Sequence, residues 1–288
     1  MDLQLAIEKL RTGIKFLIKK HRLPNIEHPK SYSEKLQWLK LYYHDPASVE
    51  WVDKIRVKPF IDRIVGPGHT IPTLAIYKRP DEIPWEKLPE TFVLKTTHDS
   101  GGVAICRDPK TFSRAKAEAK LRRHFNKDYS KKVQEWPYGK VPRRIILEPL
   151  MVEEDPSKAV KDYKFYCFDG RAEYVLICTD RERKGHLKYH YYDREGRLHP
   201  FSTYSKGLPA DHRAAFPDNI GEMFDMAEKI AGSIPAHPHL RIDLYSIGGK
   251  IYFSEITLYD SSGMDRHMTR EGDRVLGELL HLPCSRMR

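Results

Sequence analysis

Between residues 73 and 257 the chain carries eight short runs rich in β-branched and aromatic residues: TLAIY, TFVLK, RRIILEPLM, YKFYCFDG, AEYVLICTD, YHYYD, LRIDLYSIGG and KIYFSEIT. Turn residues close each run, and helical patterns interrupt the series only twice, near 111–126 and 219–232. Runs of this kind form strands. Parallel neighbours need a crossover of about a dozen residues or more between them, and most of these runs follow one another too closely for that. The pattern predicts an α+β protein with mostly antiparallel sheets rather than a repeating βαβ fold. At 288 residues the chain has room for two lobes.

The first 70 residues read as helical. SYSEKLQWLKLYY opens on Ser31 with Glu34 three residues on, a capping box, followed by the apolar stripe Leu36, Trp38, Leu39, Leu41 and Tyr42. VDKIRVKPFIDRIVG reads as a short helix stopped by Gly66-Pro67-Gly68. Residues 3 to 20 bring Leu3, Leu5, Ile7, Leu10, Ile14, Phe16, Leu17 and Ile18 close to helical spacing. Such a stripe is expected to face the core, with a helix lying on a membrane surface as the alternative. The organisation expected is a helical segment over 1–70, a first lobe over 71–148 and a second over 149–288.

Asp2, Glu8, Lys9 and Arg11 deny the N-terminus the uncharged core of a signal peptide, and no apolar run approaches the roughly 20 residues that span a bilayer. A cytoplasmic protein is expected. Four cysteines lie scattered without a CxxC pair, which suggests neither a zinc ribbon nor a disulfide framework. The net charge of +10 points to an anionic partner. No standard nucleic-acid motif accompanies it, so nucleic acid is not the expected one.

FVLKTTHDSGGVAI delivers Lys95 at a strand end and then loses side-chain bulk through Ser100, Gly101 and Gly102. An ammonium beside a loop that lets backbone N–H groups approach suits phosphate. The order is not that of a Walker A loop, in which lysine follows the glycines, and a plain hairpin turn reads equally from this stretch alone. In RRIILEPLM a strand carries Glu148 to a bend at Pro149, where main-chain groups and a carboxylate suit adenine, or where a surface glutamate precedes a turn. On DYKFYCFDG, Lys164 shares a face with Asp162 and Tyr166. The hairpin LRIDLYSIGGKIYFSEIT sets Arg241 and Asp243 on one face of its first strand, and Glu255 and Thr257 on one face of its second. Carboxylates on adjacent strands suit Mg²⁺ shared with substrate phosphates, while a cross-strand Arg–Glu pair is the structural alternative.

Taken in order, the Asp-Lys pair at Lys54, FVLK, the HDSGG loop, IILEPLM, DYKFYCFDG and RIDLY with KIYFSEIT resemble the ATP-grasp superfamily. More narrowly, residues 31 to 263 or so resemble the TupA-like ATP-grasp family, named for a protein of teichuronopeptide synthesis. The resemblance implies ATP held between two α+β lobes, and an acyl phosphate formed from a carboxylate and then attacked by an amine. It implies that Lys95 and Lys164 hold phosphates, that Ser100-Gly101-Gly102 closes over them, and that Glu148 and the Leu150 backbone hold adenine. Asp243 and Glu255 would bind Mg²⁺, Arg241 would stabilise the transferring phosphoryl group, and Lys54 would add a substrate or phosphate contact. Many relatives end the metal strand in Glu-x-Asn. Here Thr257 offers a hydroxyl instead, which leaves a second metal open.

The partners implied are a sugar-linked carboxylate, an amine, and peripheral contact with the inner membrane face or polysaccharide-synthesis enzymes, as for a ligase acting on a cell-envelope or capsular precursor. A kinase phosphorylating a hydroxyl on the same fold and a non-catalytic binding module for an anionic polymer or nucleic acid are the alternatives. His98 and His267 are candidates for proton transfer.

Overall fold

The structure is a computed structural model describing residues 3–153, 160–179, 188–209, 211–212 and 216–287. Grouped by contact, the chain forms two compact units, one of Met1–Asp45 with Lys161–Arg288 and the other of Pro46–Val160. The sequence reading divided it instead into three consecutive segments at 70 and 148.

The second unit opens with helices α3 (Ser48–Val52) and α4 (Val57–Val65), and continues through strands β1 (Ala75–Tyr77), β2 (Phe92–Thr96) and β3 (Val103–Cys106), helices α5 (Arg114–Phe125) and α6 (Tyr129–Val133), and strand β4 (Ile145–Glu148). The strands pair in the order β1-β4-β2-β3, antiparallel throughout. Alternation along β2 sends Phe92 and Leu94 into a core with Ala104, Cys106, Ile145 and Leu147, capped by Ala117 and Leu121 of α5. Lys95 and Glu148 therefore leave the opposite face.

In the first unit α1 (Leu3–Lys20) and α2 (Tyr32–Tyr42) precede strands β5 (Asp162–Phe168), β6 (Arg171–Thr179), β7 (Lys188–Tyr192) and β8 (Leu198–His199), followed by α7 (Ile220–Gly232), the hairpin β9 (His239–Ile247) and β10 (Lys250–Thr257), and α8 (Arg270–Leu279). The sheet order is β10-β9-β5-β6-β7-β8, every pair antiparallel. The β9–β10 turn is Gly248-Gly249, both with positive φ, as a tight two-residue hairpin demands. Helix α7 covers one face of the sheet, where Phe224 meets Phe165 edge-on at 4.9 Å. Helix α2 begins with the expected capping box, Ser31 and Glu34 each bonding the other's backbone N–H.

Helix α1 departs from expectation. It packs through Thr12 and Phe16, both buried, and leaves Leu3, Ile7, Leu10, Ile14, Leu17 and Ile18 exposed. The apolar positions are too many for one contact stripe, and the buried residues lie on the helix face opposite the exposed ones. Among the described residues no helix is long and apolar enough to cross a membrane.

Candidate functional site

Each unit gathers part of the expected chemistry, and each cluster is described by itself.

In the second unit, β2 and β4 run antiparallel with Val93 opposite Glu148 and Lys95 opposite Ile146. Lys95 and Glu148 are thus diagonal neighbours on one face, a spacing that long side chains bridge. Lys95 Nζ lies 2.6 Å from Glu148 Oε2, and Lys58 Nζ on α4 lies 2.5 Å from Oε1. Lys58 also donates to the Ile71 carbonyl at 2.7 Å and to Thr73 Oγ1 at 2.6 Å. Burial alone would raise the Glu148 carboxyl, yet Lys95 and Lys58 outweigh it and hold the carboxyl below its usual range. Glu148, expected at adenine, here clamps two ammonium groups, and Leu150 follows two residues beyond the strand.

The β2–β3 loop is tied down at Asp99. Its Oδ1 accepts from Thr96 Oγ1 and its Oδ2 from His124 Nδ1, both closely, while its carbonyl accepts from Lys54 Nζ at 2.7 Å. Thr96 N–H donates to the Gly102 carbonyl at 2.8 Å and closes the stem. Ser100 and Gly101 form the exposed tip; Gly102 is buried. A Cβ at Gly102 would lie 1.8 Å from Thr96 Oγ1 and 2.7 Å from Asp99 Oδ1, so only glycine fits. Lys54 therefore anchors the loop backbone in this arrangement. His98 is buried, and burial lowers its pKa, which keeps it neutral.

In the first unit three strands align one row. Lys164 on β5 pairs with Asp243 on β9, which pairs with Glu255 on β10. The next row holds Tyr166, Arg241 and Thr257. A bulge between Phe253 and Glu255 resets β10 so that Glu255 and Thr257 share the face of Asp243 and Arg241. Arg241 grips Asp243 with Nε at 2.7 Å and a terminal nitrogen at 2.8 Å, bonds Asp260 through the other, and lies 3.6 Å from Glu255. Lys164 Nζ stands 2.5 Å from both Asp162 and Asp243. Tyr166 Oη donates to Asp260 at 2.7 Å.

Burial opposes charge on Lys164, Asp243 and Arg241, but the attraction of their partners prevails. Asp243 and Asp162 keep the Lys164 ammonium raised, Arg241 and Lys164 keep Asp243 lowered, and Asp243 with Asp260 keeps Arg241 raised. Asp162, Asp243, Asp260 and Glu255 are four carboxylates facing Lys164 and Arg241, which leaves two negative charges over in the cluster.

Asp260 opens a turn, Asp260–Gly263, in which Ser261, Ser262 and Gly263 all have positive φ. Non-glycine residues rarely hold that conformation. Helix α2 supports it: Gln37 Nε2 donates to the carbonyls of Ser262 at 2.9 Å and Gly263 at 3.2 Å, and Lys40 Nζ to Ser262 at 3.2 Å.

Among the described residues no three or more His, Cys, Asp or Glu side chains form a ready metal cage. Asp243 and Glu255 face each other in a cluster with an excess charge of two, the kind of pair Mg²⁺ uses when phosphates and water complete its shell, but Arg241 and Lys164 engage both Asp243 oxygens here, so a metal would have to draw one of them away. His267 stacks on Tyr204 at 4.5 Å and stays at the surface.

Reasoning from sequence missed Lys58 and the carboxylate roles of Asp99, Asp162 and Asp260, which it read only as part of the HDSGG loop, as sharing the face of Lys164, and as part of an Asp260–Gly263 segment that lies near the phosphates or forms a plain turn. Lys58 and Asp162 carried a signal: Lys58 follows Lys54 by one helical turn, and Asp162 alternates onto the face of Lys164. Asp99 and Asp260 depend on loop conformations that no periodicity reveals.

The two antiparallel α+β units are those of an ATP-grasp protein, the class to which the family match assigns the chain. The profile of one of its families, TupA-like ATPgrasp, matches residues 34–281, and the chain belongs to that family. No curated protein sequence matches it. Among solved structures it is similar to D-alanine–D-alanine ligase from Bacillus anthracis complexed with ATP (15% identity, TM-score 0.45, 80% of this chain and 65% of that one). It is also similar to the Helicobacter pylori D-alanine–D-alanine ligase (13%, 0.45, 87% and 67%) and to D-cycloserine synthetase DcsG (15%, 0.42, 82% and 71%). The chain thus spans about two thirds of the length of those two D-alanine ligases.

Proposed function

We propose that the protein is an ATP-dependent carboxylate–amine ligase, acting on an acidic sugar or a related cell-envelope precursor. The observation that carries this reading is the row Lys164–Asp243–Glu255 with Arg241 beside it: two cations and an excess of negative charge on one sheet face. Phosphoryl transfer asks a protein mainly for positioning and charge. The substrate carboxylate attacks the γ-phosphorus, ADP leaves and an acyl phosphate forms. The amine then attacks the acyl carbon, the C–O bond to phosphate breaks, and the ammonium proton passes to solvent.

Lys95 and Lys164 bind phosphate oxygens, with Lys58 supporting Lys95 through Glu148. Arg241 stabilises the transferring group. Asp243 and Glu255 would hold Mg²⁺, and Thr257 is a further oxygen donor on the same face. Bound Mg²⁺ supplies charge that shields the phosphate oxygens and orients them. The Ser100-Gly101 tip, with Gly102 fixing its stem, closes over the phosphates and excludes water, and Glu148, besides holding Lys58 and Lys95, and the Leu150 backbone are the groups offered to adenine. A carboxylate nucleophile is already ionised, whereas a hydroxyl acceptor needs a base. Asp162, Asp243 and Asp260 are each engaged by Lys164, Arg241 or Tyr166, which favours the ligase over the kinase. The net charge of +10 suits an acidic acceptor.

The test is ADP and phosphate release over uronic-acid sugar nucleotides and a panel of amines. Free phosphate matched by an amide supports the ligase; a stable phosphorylated product without free phosphate assigns a kinase. RNA binding without any Mg-ATP turnover would overturn both.

A further inference from the structure

We propose that α1 and the basic groove at its C-terminal end dock the protein on an anionic membrane surface. Leu3, Ile7, Leu10, Ile14 and Leu17 follow one another at spacings of four and three, so they form a straight ridge along α1, with Ile18 beside it. Residues 3 to 18 extend about 22 Å along the axis. Leu3, Leu10, Ile14 and Ile18 keep between 51% and 75% of their surface in water. The helix already has its protein contact on the other side through Thr12 and Phe16, so this ridge is a second apolar face and not the core face exposed by chance. Contiguous apolar surface of this kind marks an interaction site.

Charge decides the occupant. Five of the six charged residues of α1 are basic, and Glu8 is the one acid. Arg11 and Lys15 follow the ridge along one side, and Lys19 and Lys20 close its last turn. Lys19 also lines a groove of 360 Å³ with Lys20, Arg22, Arg266 and Arg270, where Asp273 is the single carboxylate. Arg22 is held by Glu34 and Asp273, and Lys20 by the Asp265 carbonyl. Lys19, Arg266 and Arg270 stay exposed. A second copy of the chain would bring this basic border against itself. An anionic headgroup layer instead receives both features, since leucines and isoleucines enter the acyl boundary while lysines and arginines meet the phosphates.

The experiment is co-sedimentation of the full chain with phosphatidylcholine vesicles, plain or carrying about one third phosphatidylglycerol. Binding is expected to the anionic vesicles and to fall with salt. Leu10→Glu with Ile14→Glu, both at exposed positions, should reduce binding by at least about tenfold. Arg266→Ser with Arg270→Ser should also reduce it, by about fivefold per charge removed. Circular dichroism and ATP turnover should stay at wild-type values in both variants. Equal binding to neutral vesicles, or none to anionic ones, overturns the proposal. So does a wild-type dimer in the ultracentrifuge that Leu10→Glu with Ile14→Glu separates without any vesicle binding, which would assign the ridge to a second copy.

Discussion

Lys95 and Glu148 are diagonal neighbours on adjacent antiparallel strands, with their charged atoms 2.6 Å apart and Lys58 on the other carboxylate oxygen. The carboxylate thus fixes two ammonium groups at once. Lys95→Ala leaves the Lys58–Glu148 pair intact, so the fold should survive with Tm lowered by no more than a few degrees. ATP turnover should fall by about 10- to 100-fold in kcat/KM. Steady-state kinetics on the folded variant check this, and unchanged values would reduce the pair to a structural contact.

Asp243 and Glu255 separate stability from catalysis. Asp243→Asn removes the carboxylate that Arg241 and Lys164 share, while Asp260 and Asp162 still pair with them, so it should cost about 1–3 kcal/mol in urea unfolding. Glu255 is the more exposed of the pair, so Glu255→Gln should unfold within about 0.5 kcal/mol of wild type. Its ATP turnover should nevertheless fall by at least about tenfold, with a rise in the Mg²⁺ concentration needed for half activity. Wild-type turnover in Glu255→Gln would remove it from the metal site.

Gly102 is the one position of the β2–β3 loop at which a methyl group meets a fixed hydrogen-bond network. Gly102→Ala should destabilise by about 1–3 kcal/mol as Thr96 and Asp99 are forced apart, and should raise the KM for ATP. Ser100→Ala, at the exposed tip, should leave stability unchanged. Urea midpoints of the two variants measured together test whether the stem, and not the tip, sets the loop.

His237 and His239 are buried, and burial pushes their pKa values down to about 4 and about 3. The folded state keeps both neutral, whereas the unfolded chain protonates them near the ordinary value of about 6.5. The unfolded state therefore binds more protons between those values, and stability falls as pH drops through that window. Between pH 7.5 and pH 5 each histidine should cost roughly 2 kcal/mol. Urea unfolding across that range should show the slope, and His237→Gln should flatten it; an unchanged slope would place the effect elsewhere.

The strands, the capping box of α2 and the hairpin β9–β10 were legible because alternation, turn residues and caps are local. Alternation also shows that Arg241 and Asp243 share a face of β9, as Glu255 and Thr257 do of β10, but it is the bulge after Phe253, which no alternation reveals, that brings the two pairs to the same side of the sheet. The partnership of the Asp260 carboxylate with Arg241 and Tyr166 was not legible, since it depends on a turn of three left-handed residues that hydrogen bonds from Gln37 and Lys40 stabilise, far away in sequence. Lys58 was overlooked for Lys54 because spacing cannot tell that Lys54 sits in the turn before α4 and reaches the β2–β3 loop, while Lys58 in its first turn reaches Glu148 on β4. For α1 the pattern revealed an amphipathic helix but overstated its burial, because a helix with apolar residues on two sides gives no sign of which side the protein covers.

The support that α2 gives to the Asp260–Gly263 turn spans 225 residues of chain from Gln37 to Ser262. At about 5–20 residues per second of synthesis, Gln37 leaves the ribosome roughly 11–45 s before its partner. The Pro46–Val160 unit is complete in the interval. On a ribosome, then, the two units mature in reverse order of their first residues, and α2, made early, waits for the last strands of the chain before its partners exist.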